Sequence, residues 1–443
     1  MTAWIERLGA HLPHVTFVSP FASKGEGHAR AALNPVLSYY LVVLPALILT
    51  GFGLVMGFSA SAVTTILADA NPYLTFATHQ LVIVLVALLI AAIASFVPRR
   101  FWYSLALPTF GAALVFQLLV LTPLGASSGG NTNWLRVPGV PFLIQPSEFL
   151  KLALVIAIGR ILARPGARLS DWRQMAVTVG IPIVVTLGDV MLGHDMGTAM
   201  VVGLAAIGAT WVAGLPGKWF AWLCALSVPL LSLFVFMKQS RIDRVLAVLP
   251  WNTTARDLAK PEQIDHALWA LGSGGLTGLG PGASREKWNY LQAAHTDFIL
   301  AIIGEEFGLL GTLTVLLCIG ALVWGMIRVA AATDDLFTAV VTGGVASWIG
   351  GQTVINVMSV TGVGPVIGVP LPLVSYGGSS FLFTSVAIGV VAALARQQAG
   401  MFVFGSPDES SAGRDPRRGP RRRSSGARRR GERVLSPTVK ESS

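Results

Sequence analysis

The sequence predicts an all-α polytopic membrane protein with about ten transmembrane helices, and three observations predict it. Hydrophobic residues make up 53% of the 443 residues and charged residues 12%, with a mean hydropathy of +0.66. A soluble domain carries about a quarter charged residues, so this chain lacks the supply to cover a water-facing exterior. Apolar stretches near the roughly 20 residues that cross a bilayer recur along the chain. Lys and Arg fall in alternate connecting loops, as the positive-inside rule requires.

In order, the candidate spans cover residues 36–58, 80–97, 102–121, 149–162, 175–192, 198–213, 219–237, 298–327, 337–357 and 379–394. Segment 149–162 is short and reads equally as a buried or tilted helix. Arg99 and Arg100 follow the second span, Arg160, Arg164, Arg168 and Arg173 the fourth, Lys218 the sixth and Arg328 the eighth. Loops 59–79 and 360–378 carry neither Lys nor Arg. Both termini are therefore expected in the cytoplasm. The polar segment 1–34 predicts no cleavable signal ahead of the first span, which reads as an uncleaved anchor.

The domain plan is a cytoplasmic N-terminal segment (1–34), a transmembrane domain (35–396) and a disordered cytoplasmic tail (397–443). Two outer loops are long, 122–145 and 238–297, the second lying between the seventh and eighth spans. Long loops in a chain that is otherwise nearly all membrane are where chemistry is housed. The formal net charge of +10 is concentrated in the tail, in runs such as Arg421-Arg422-Arg423 and Arg428-Arg429-Arg430. It forms no nucleic-acid-binding face and suits anionic membrane lipid or an acidic cytoplasmic partner. Cys224 and Cys318 sit in apolar segments and read as small hydrophobes.

The chemistry-bearing candidates cluster on the outer side. The glycine-dense run 271–282, with Gly274 and Gly275, precedes Arg285 and Lys287. Its backbone amides and these cations suit phosphate oxygens, and a merely flexible loop is the alternative. Asp297, where the loop enters the eighth span, reads either as a helix cap or as a partly desolvated carboxylate able to accept a proton. Glu305 and Glu306, two adjacent carboxylates farther along that helix, call for a structural partner, with a direct catalytic role as the alternative. Gln145-Pro146-Ser147-Glu148 opens the fourth span with Lys151 at i,i+3 from Glu148, which reads as a capped helix with an internal ion pair. Asp195, at the start of the sixth span, reads the same way. Arg241 and Arg244 suit lipid headgroups or an anionic substrate equally. Segment 362–378 has too many Gly and Pro residues for a helix, and irregular backbone at membrane depth must be buried in protein or line a cavity.

Several blocks together resemble the SEDS family of peptidoglycan glycosyltransferases, over about residues 36–396. They are Gly53 to Ser61, Gln145 to Glu148 with Lys151, Ala270 to Gly275, Tyr290-Leu291, Ala294-His295-Thr296-Asp297-Phe298-Ile299, Gly304-Glu305-Glu306 and Leu371 to Ser380. The resemblance implies polymerisation of lipid II at the outer face of the bacterial cytoplasmic membrane. It makes Asp297 the general base for the acceptor 4-hydroxyl, with undecaprenyl pyrophosphate leaving. It makes Lys287, Arg241, Arg244, Arg285, Gly274, Gly275 and His295 the substrate and pyrophosphate candidates. Glu148, Lys151, Glu305, Glu306, Ser375, Gly377 and Gly378 are implied as supports. No metal ligand is assigned; a divalent cation, magnesium or manganese, would suit the leaving charge, and no organic cofactor is implied.

The implied partners are a class B penicillin-binding protein (an FtsI-type transpeptidase), other division proteins such as FtsZ through the basic tail, and membrane lipids. Met56 with Ser59-Ala60-Ser61, and Ile303-Gly304-Glu305-Glu306, favour the division-type branch at the septum over the elongation type. Departures from the family pattern exist. Leu291-Gln292-Ala293 stands where the family has Leu-Pro-Glu, Asn131-Thr132-Asn133-Trp134 lacks the family's Arg, and Gly193-His194-Asp195-Met196 stands for Gln-Pro-Asp-Leu. They put the roles of those neighbours in doubt and leave the base in place. A lipid II flippase and a non-catalytic scaffold are the competing classes.

Overall fold

The computed structural model describes residues 33–128, 131–136, 143–165, 171–220, 263–288 and 290–404, with isolated positions at 225, 236 and 242. Most of the seventh expected span, both expected terminal segments apart from their inner edges, Arg241, Arg244 and Cys224 lie outside the described residues. Among the described residues, six helices are long and apolar enough to cross a membrane.

Helix α1 (Pro35–Leu67) starts at Asn34, whose side-chain oxygen accepts from the Val36 and Leu37 amides, with proline at the first helical position. Its 33 residues span roughly 50 Å, well beyond a hydrocarbon layer of about 30 Å. The expected outer loop 59–79 is therefore mostly helix. Thr65 keeps the turn closed through the Ser61 carbonyl, and Asn71 caps the next helix at once. Helix α2 (Pro72–Ser95) and helix α3 (Arg99–Leu121) follow. A short antiparallel hairpin, β1 (Gly125–Ser128) and β2 (Asn131–Leu135), then pairs Ala126 with Trp134.

Helix α4 (Pro146–Leu162) is buried on nearly every face, as a helix apolar all round must be in the middle of a bundle. It packs against α3, helix α6 (Met196–Val212) and helix α9 (Leu336–Val360). Helix α5 (Arg173–Leu192) leans on α6. Helix α10 (Gly378–Gln398) is the other central element: 78% of its most apolar window is buried, against 17% for α2, the helix it packs on most extensively. Helix α9 is long enough to cross a membrane but too polar to count among the six, because it carries Gln352 and Asn356. Arg99 forks onto the carboxylate of Asp335 at 2.5 and 2.6 Å and ties the start of α3 to the start of α9.

Helix α7 (Gln263–Gly274) packs on helix α8 (Ile299–Ala332) so closely that a Cβ on Gly274 would lie 1.9 Å from the Gly304 carbonyl oxygen. Helix α8 breaks at Gly308, at φ 66° and ψ −164°, a region only glycine enters readily. The break strands helical amides and carbonyls, and the glycine-rich loop satisfies them reciprocally. The Leu279 and Gly280 amides donate to the Glu305 and Glu306 carbonyls at 2.9 and 3.0 Å, and the Leu309 and Leu310 amides donate to the Gly275 and Leu276 carbonyls at 2.9 and 3.2 Å. A Cβ on Gly308 would lie 2.4 Å from the Gly278 amide nitrogen. Gly308→Ala is expected to lower the melting temperature sharply or abolish folded yield in detergent, since backbone strain of about 1–3 kcal/mol adds to the clash. Gly320→Ala in the same helix meets nothing within 4 Å and is expected to melt no lower than the parent.

Candidate active site

A cavity of about 630 Å3 lies where the hairpin, the starts of α4 and α6, the C-terminal half of α9 and the irregular segments 293–297 and 366–378 converge. Each wall is placed by a local rule. Asp195 caps α6, its Oδ1 accepting from the Thr198 amide at 3.0 Å. Its Oδ2 accepts from Thr198 Oγ1 at 2.8 Å, Asn133 Nδ2 at 2.8 Å and Gln145 Nε2 at 3.0 Å. One carboxylate thus joins α6, the hairpin and the entry to α4.

Two turns of α4 supply the floor. Lys151 is fully buried, its ammonium 2.8 Å from Glu148 and 4.6 Å from the centre of the Trp348 ring. Gln352 receives the Trp348 indole N–H at 2.7 Å and donates to the Pro370 carbonyl at 2.8 Å. One turn later Asn356 donates to the carbonyls of Asp297 and Val369, at 2.7 and 2.8 Å. Ser375 completes the clamp: its hydroxyl donates to the Thr296 carbonyl at 2.6 Å and accepts from the Leu371 amide at 2.7 Å. The backbone on both sides of Asp297 is therefore fixed by α9 and by segment 366–378.

The carboxylate of Asp297 accepts no hydrogen bond among the described residues, and it faces the cavity near Gly368. Burial pushes its pKa from 3.8 up to about 6, and the negative charge of Asp195 adds to the rise. His295 lies against Tyr376, ring centres 5.7 Å apart; burial lowers the imidazole and raises the phenol. At neutral pH the site therefore presents one ionised, uncommitted carboxylate beside a neutral imidazole.

The structure sorts the sequence candidates. Asp297, His295, Glu148, Lys151, Gly377 and Gly378 line the cavity, with Ser375 directly behind. Lys287, Arg285, Gly274 and Gly275 do not. Part of the glycine run expected to cradle phosphate splints the α8 break, which occupies the amides of Leu279 and Gly280 and the carbonyls of Gly275 and Leu276. Lys287 is buried in an ion pair with Glu306 at 2.7 Å, and its ammonium also donates to Ser59 at 3.0 Å and to the Gly282 carbonyl at 2.8 Å. All three ammonium protons are used there, and none points to a ligand. Glu305 accepts from the Ser284 hydroxyl and the Arg285 and Glu286 amides, while the Arg285 side chain is exposed. The sequence reading missed Gln352, Asn356, Asn133 and Tyr376. The first two were signalled by two amides at i,i+4 in an otherwise apolar span.

Residues 39–400 match the FtsW/RodA/SpoVE model, described as cell cycle protein. The chain belongs to this family. Among its relatives is a probable peptidoglycan glycosyltransferase FtsW of Mycobacterium tuberculosis, 34% identical over 366 residues, covering 82% of this chain and 69% of that protein. Another of the same description, from Geobacter sulfurreducens, is 34% identical over 357 residues, covering 79% and 93%. Among solved structures, a chain of a peptidoglycan synthase complex that coordinates polymerization and crosslinking matches at a TM-score of 0.65 and 28% identity, over 80% of this chain and 97% of that one. The rod shape determining protein RodA of Thermus thermophilus matches at 0.58 and 29%, over 81% and 97%. This is a multi-pass membrane protein of the FtsW/RodA/SpoVE family.

The placement of Lys287 has a direct test. Lys287→Met leaves Glu306 buried and unpaired and is expected to destabilise the protein by about 3–5 kcal/mol. Adding Glu306→Met is expected to restore much of the melting temperature in detergent. Activity returning with stability in the double variant supports a structural pair, whereas a stable, inactive double variant would return Lys287 to the ligand set.

Proposed function

We propose that this chain is a peptidoglycan glycosyltransferase that polymerises lipid II, with Asp297 as general base. The observation that carries the reading is the Asp297 carboxylate: it is uncommitted, poised near pH 6, backbone-clamped, and set in the wall of a cavity large enough for sugar rings. In this reading the acceptor's 4-hydroxyl gives its proton to Asp297 as its oxygen attacks the anomeric carbon of the donor. The bond from that carbon to the pyrophosphate oxygen breaks, and undecaprenyl pyrophosphate leaves. A base with a pKa near the working pH couples proton transfer to attack efficiently. Lys151, paired with Glu148, and the amides of Gln145 and Asn133, which neutralise Asp195, keep the rest of the cavity wall polar and fixed around the reacting groups.

The chain is proposed to cross the bacterial cytoplasmic membrane ten times, with both ends cytoplasmic and the 238–297 loop outside, which puts the cavity on the outer face. The alternation of basic loops supports this. The FtsW description of the curated relatives supports division-type synthesis at the septum. The match to a chain of a peptidoglycan synthase complex supports a class B penicillin-binding protein as partner. Binding of other division proteins, FtsZ among them, through the 397–443 tail is part of the same proposal.

A magnesium or manganese ion would offset charge on the leaving pyrophosphate. In the cavity, Asp195 is held by its donors and Glu148 by Lys151. Asp297 is the remaining carboxylate among the described residues. That set suits a cation carried chiefly by the substrate's own phosphates, in the manner magnesium prefers.

The test is polymerisation of labelled lipid II by the protein with its cognate class B partner, in the presence of moenomycin to silence other glycosyltransferases. Asp297→Asn is expected to cost about 10²–10⁴-fold in rate while melting no lower than wild type. Its folded pKa is raised, so the ionised form is the one burial disfavours above pH 6, and removing that charge relieves the cost. Strands made equally by both proteins would unseat the base. Strands made by neither, from folded complexes, would favour a flippase or a scaffold.

The pH profile gives a second check. The base works ionised, so the rate is expected to fall as pH drops through about 6. Asp195→Asn removes the like charge that raises Asp297 and is expected to move this acid limb to lower pH. An unmoved limb would show that the limb does not report Asp297.

A further inference from the structure

Beyond the catalytic cavity, a second cavity of about 280 Å3 lies toward the inner ends of α1, α2 and α10. Its walls are apolar, formed by residues such as Val43, Leu47, Leu88 and Ile388, and it reaches the bilayer-facing rim at the exposed Ala92. Arg396, in the last turn of α10, closes one end. Its guanidinium lies 4.0 Å from the Phe96 ring centre and 5.4 Å from that of Tyr39. Its Nε is buried with no hydrogen-bond partner, and Ser385 Oγ in the cavity wall is in the same condition. Among the described residues, Arg396 forms no ion pair, while Arg99 on the same side of the bundle is neutralised by Asp335.

A buried donor without an acceptor is rare and calls for one. An unpaired guanidinium between two aromatic rings at the mouth of an apolar slot fits a ligand with an anionic head and a hydrocarbon tail. Basic pockets between transmembrane helices on the cytoplasmic side take such headgroups. We propose that this cavity binds one acyl chain of an anionic phospholipid of the inner leaflet, with the lipid phosphate on Arg396. The inner placement rests on the topology proposed above. Leu373 lines both this cavity and the small one that runs beneath Ser375 and Tyr376, so the lipid would sit directly behind the segment that walls the catalytic cavity.

The test is lipid retention and thermal stabilisation of the full-length protein in neutral detergent. Phosphatidylglycerol is compared with phosphatidylcholine at high salt, where screening to about 3 Å suppresses the Arg-rich tail. Wild type is expected to retain phosphatidylglycerol and to melt higher with it than with phosphatidylcholine. Arg396→Gln is expected to bind it about fivefold more weakly, the equivalent of about 1 kcal/mol for one basic residue near an anionic headgroup. Ala92→Phe, which fills the slot from its rim, is expected to lose retention of both lipids.

No preference for the anionic lipid in wild type would overturn the site, as would a preference that survives Arg396→Gln. So would a preference that disappears only when residues 405–443 are removed. None of these readouts measures polymerisation, so failure here is separable from failure of the catalytic reading.

Discussion

Every backbone amide and carbonyl at membrane depth must find its partner inside the protein, because hydrocarbon offers none. Between its long apolar helices this chain leaves regular helix at the break at Gly308 and in the run 361–377, and the rest of the site follows from how each is satisfied. The break is splinted by the glycine-rich loop, through paired backbone bonds in both directions. The irregular run is held by side chains: Gln352 and Asn356 from α9 take the Pro370 and Val369 carbonyls, and Ser375 takes the Leu371 amide. The same Asn356 and Ser375 also hold the carbonyls of Asp297 and Thr296. A solution to a solvation problem thereby fixes the position of the reacting carboxylate.

The second organising fact is how the carboxylates are neutralised. Asp195 has a helix N-terminus and three side-chain donors, Glu148 has Lys151, Glu305 has three donors from the loop, and Glu306 has Lys287 and Ser59. Asp297 has none of these, only burial and a like charge, and both raise its pKa. The arrangement costs stability where it leaves a charge poorly solvated, which is the usual bargain of a catalytic group.

Much of this was legible in the sequence, and the misreadings have physical causes. Composition and loop charge gave the membrane class, and the Gly-Pro density of 362–378 gave an irregular segment lining a cavity. Asp297 stood out because an acidic residue at the mouth of an apolar span needs a reason. The glycine run misled because glycine near cations serves two ends: close approach to a phosphate, or close approach to another backbone. Local sequence does not separate these, since the deciding partner, the break at Gly308, lies some thirty residues on and is itself only a glycine in an apolar run. Lys287 misled for the same reason, its acceptors being Glu306 and Ser59, distant in the chain. Helix α1 runs past the expected end of the first span because Thr65 bonds back to the Ser61 carbonyl, a local bond that hydropathy does not register.

The break in α8 also divides that helix into two bodies with different neighbours. Helix α8 as a whole packs along α1 and α9. Its N-terminal part, residues 299–307, is buried along almost its entire length, with Asp297 just ahead of its first turn and Glu305 and Glu306 in its last. Those two carboxylates grip the 282–287 loop, and Asn356 and Ser375 grip the residues before the first turn. The glycine-rich loop also bonds the Leu309 and Leu310 amides beyond the break, so it bridges both parts of α8. The backbone at Asp297 is held from another side, by Asn356 of α9 and by Ser375. Helix α9 in turn meets the α4 wall where Lys151 lies over Trp348. The distance that matters for proton transfer is therefore set by this backbone clamp on α9, which also meets the opposite wall, more than by the glycine loop.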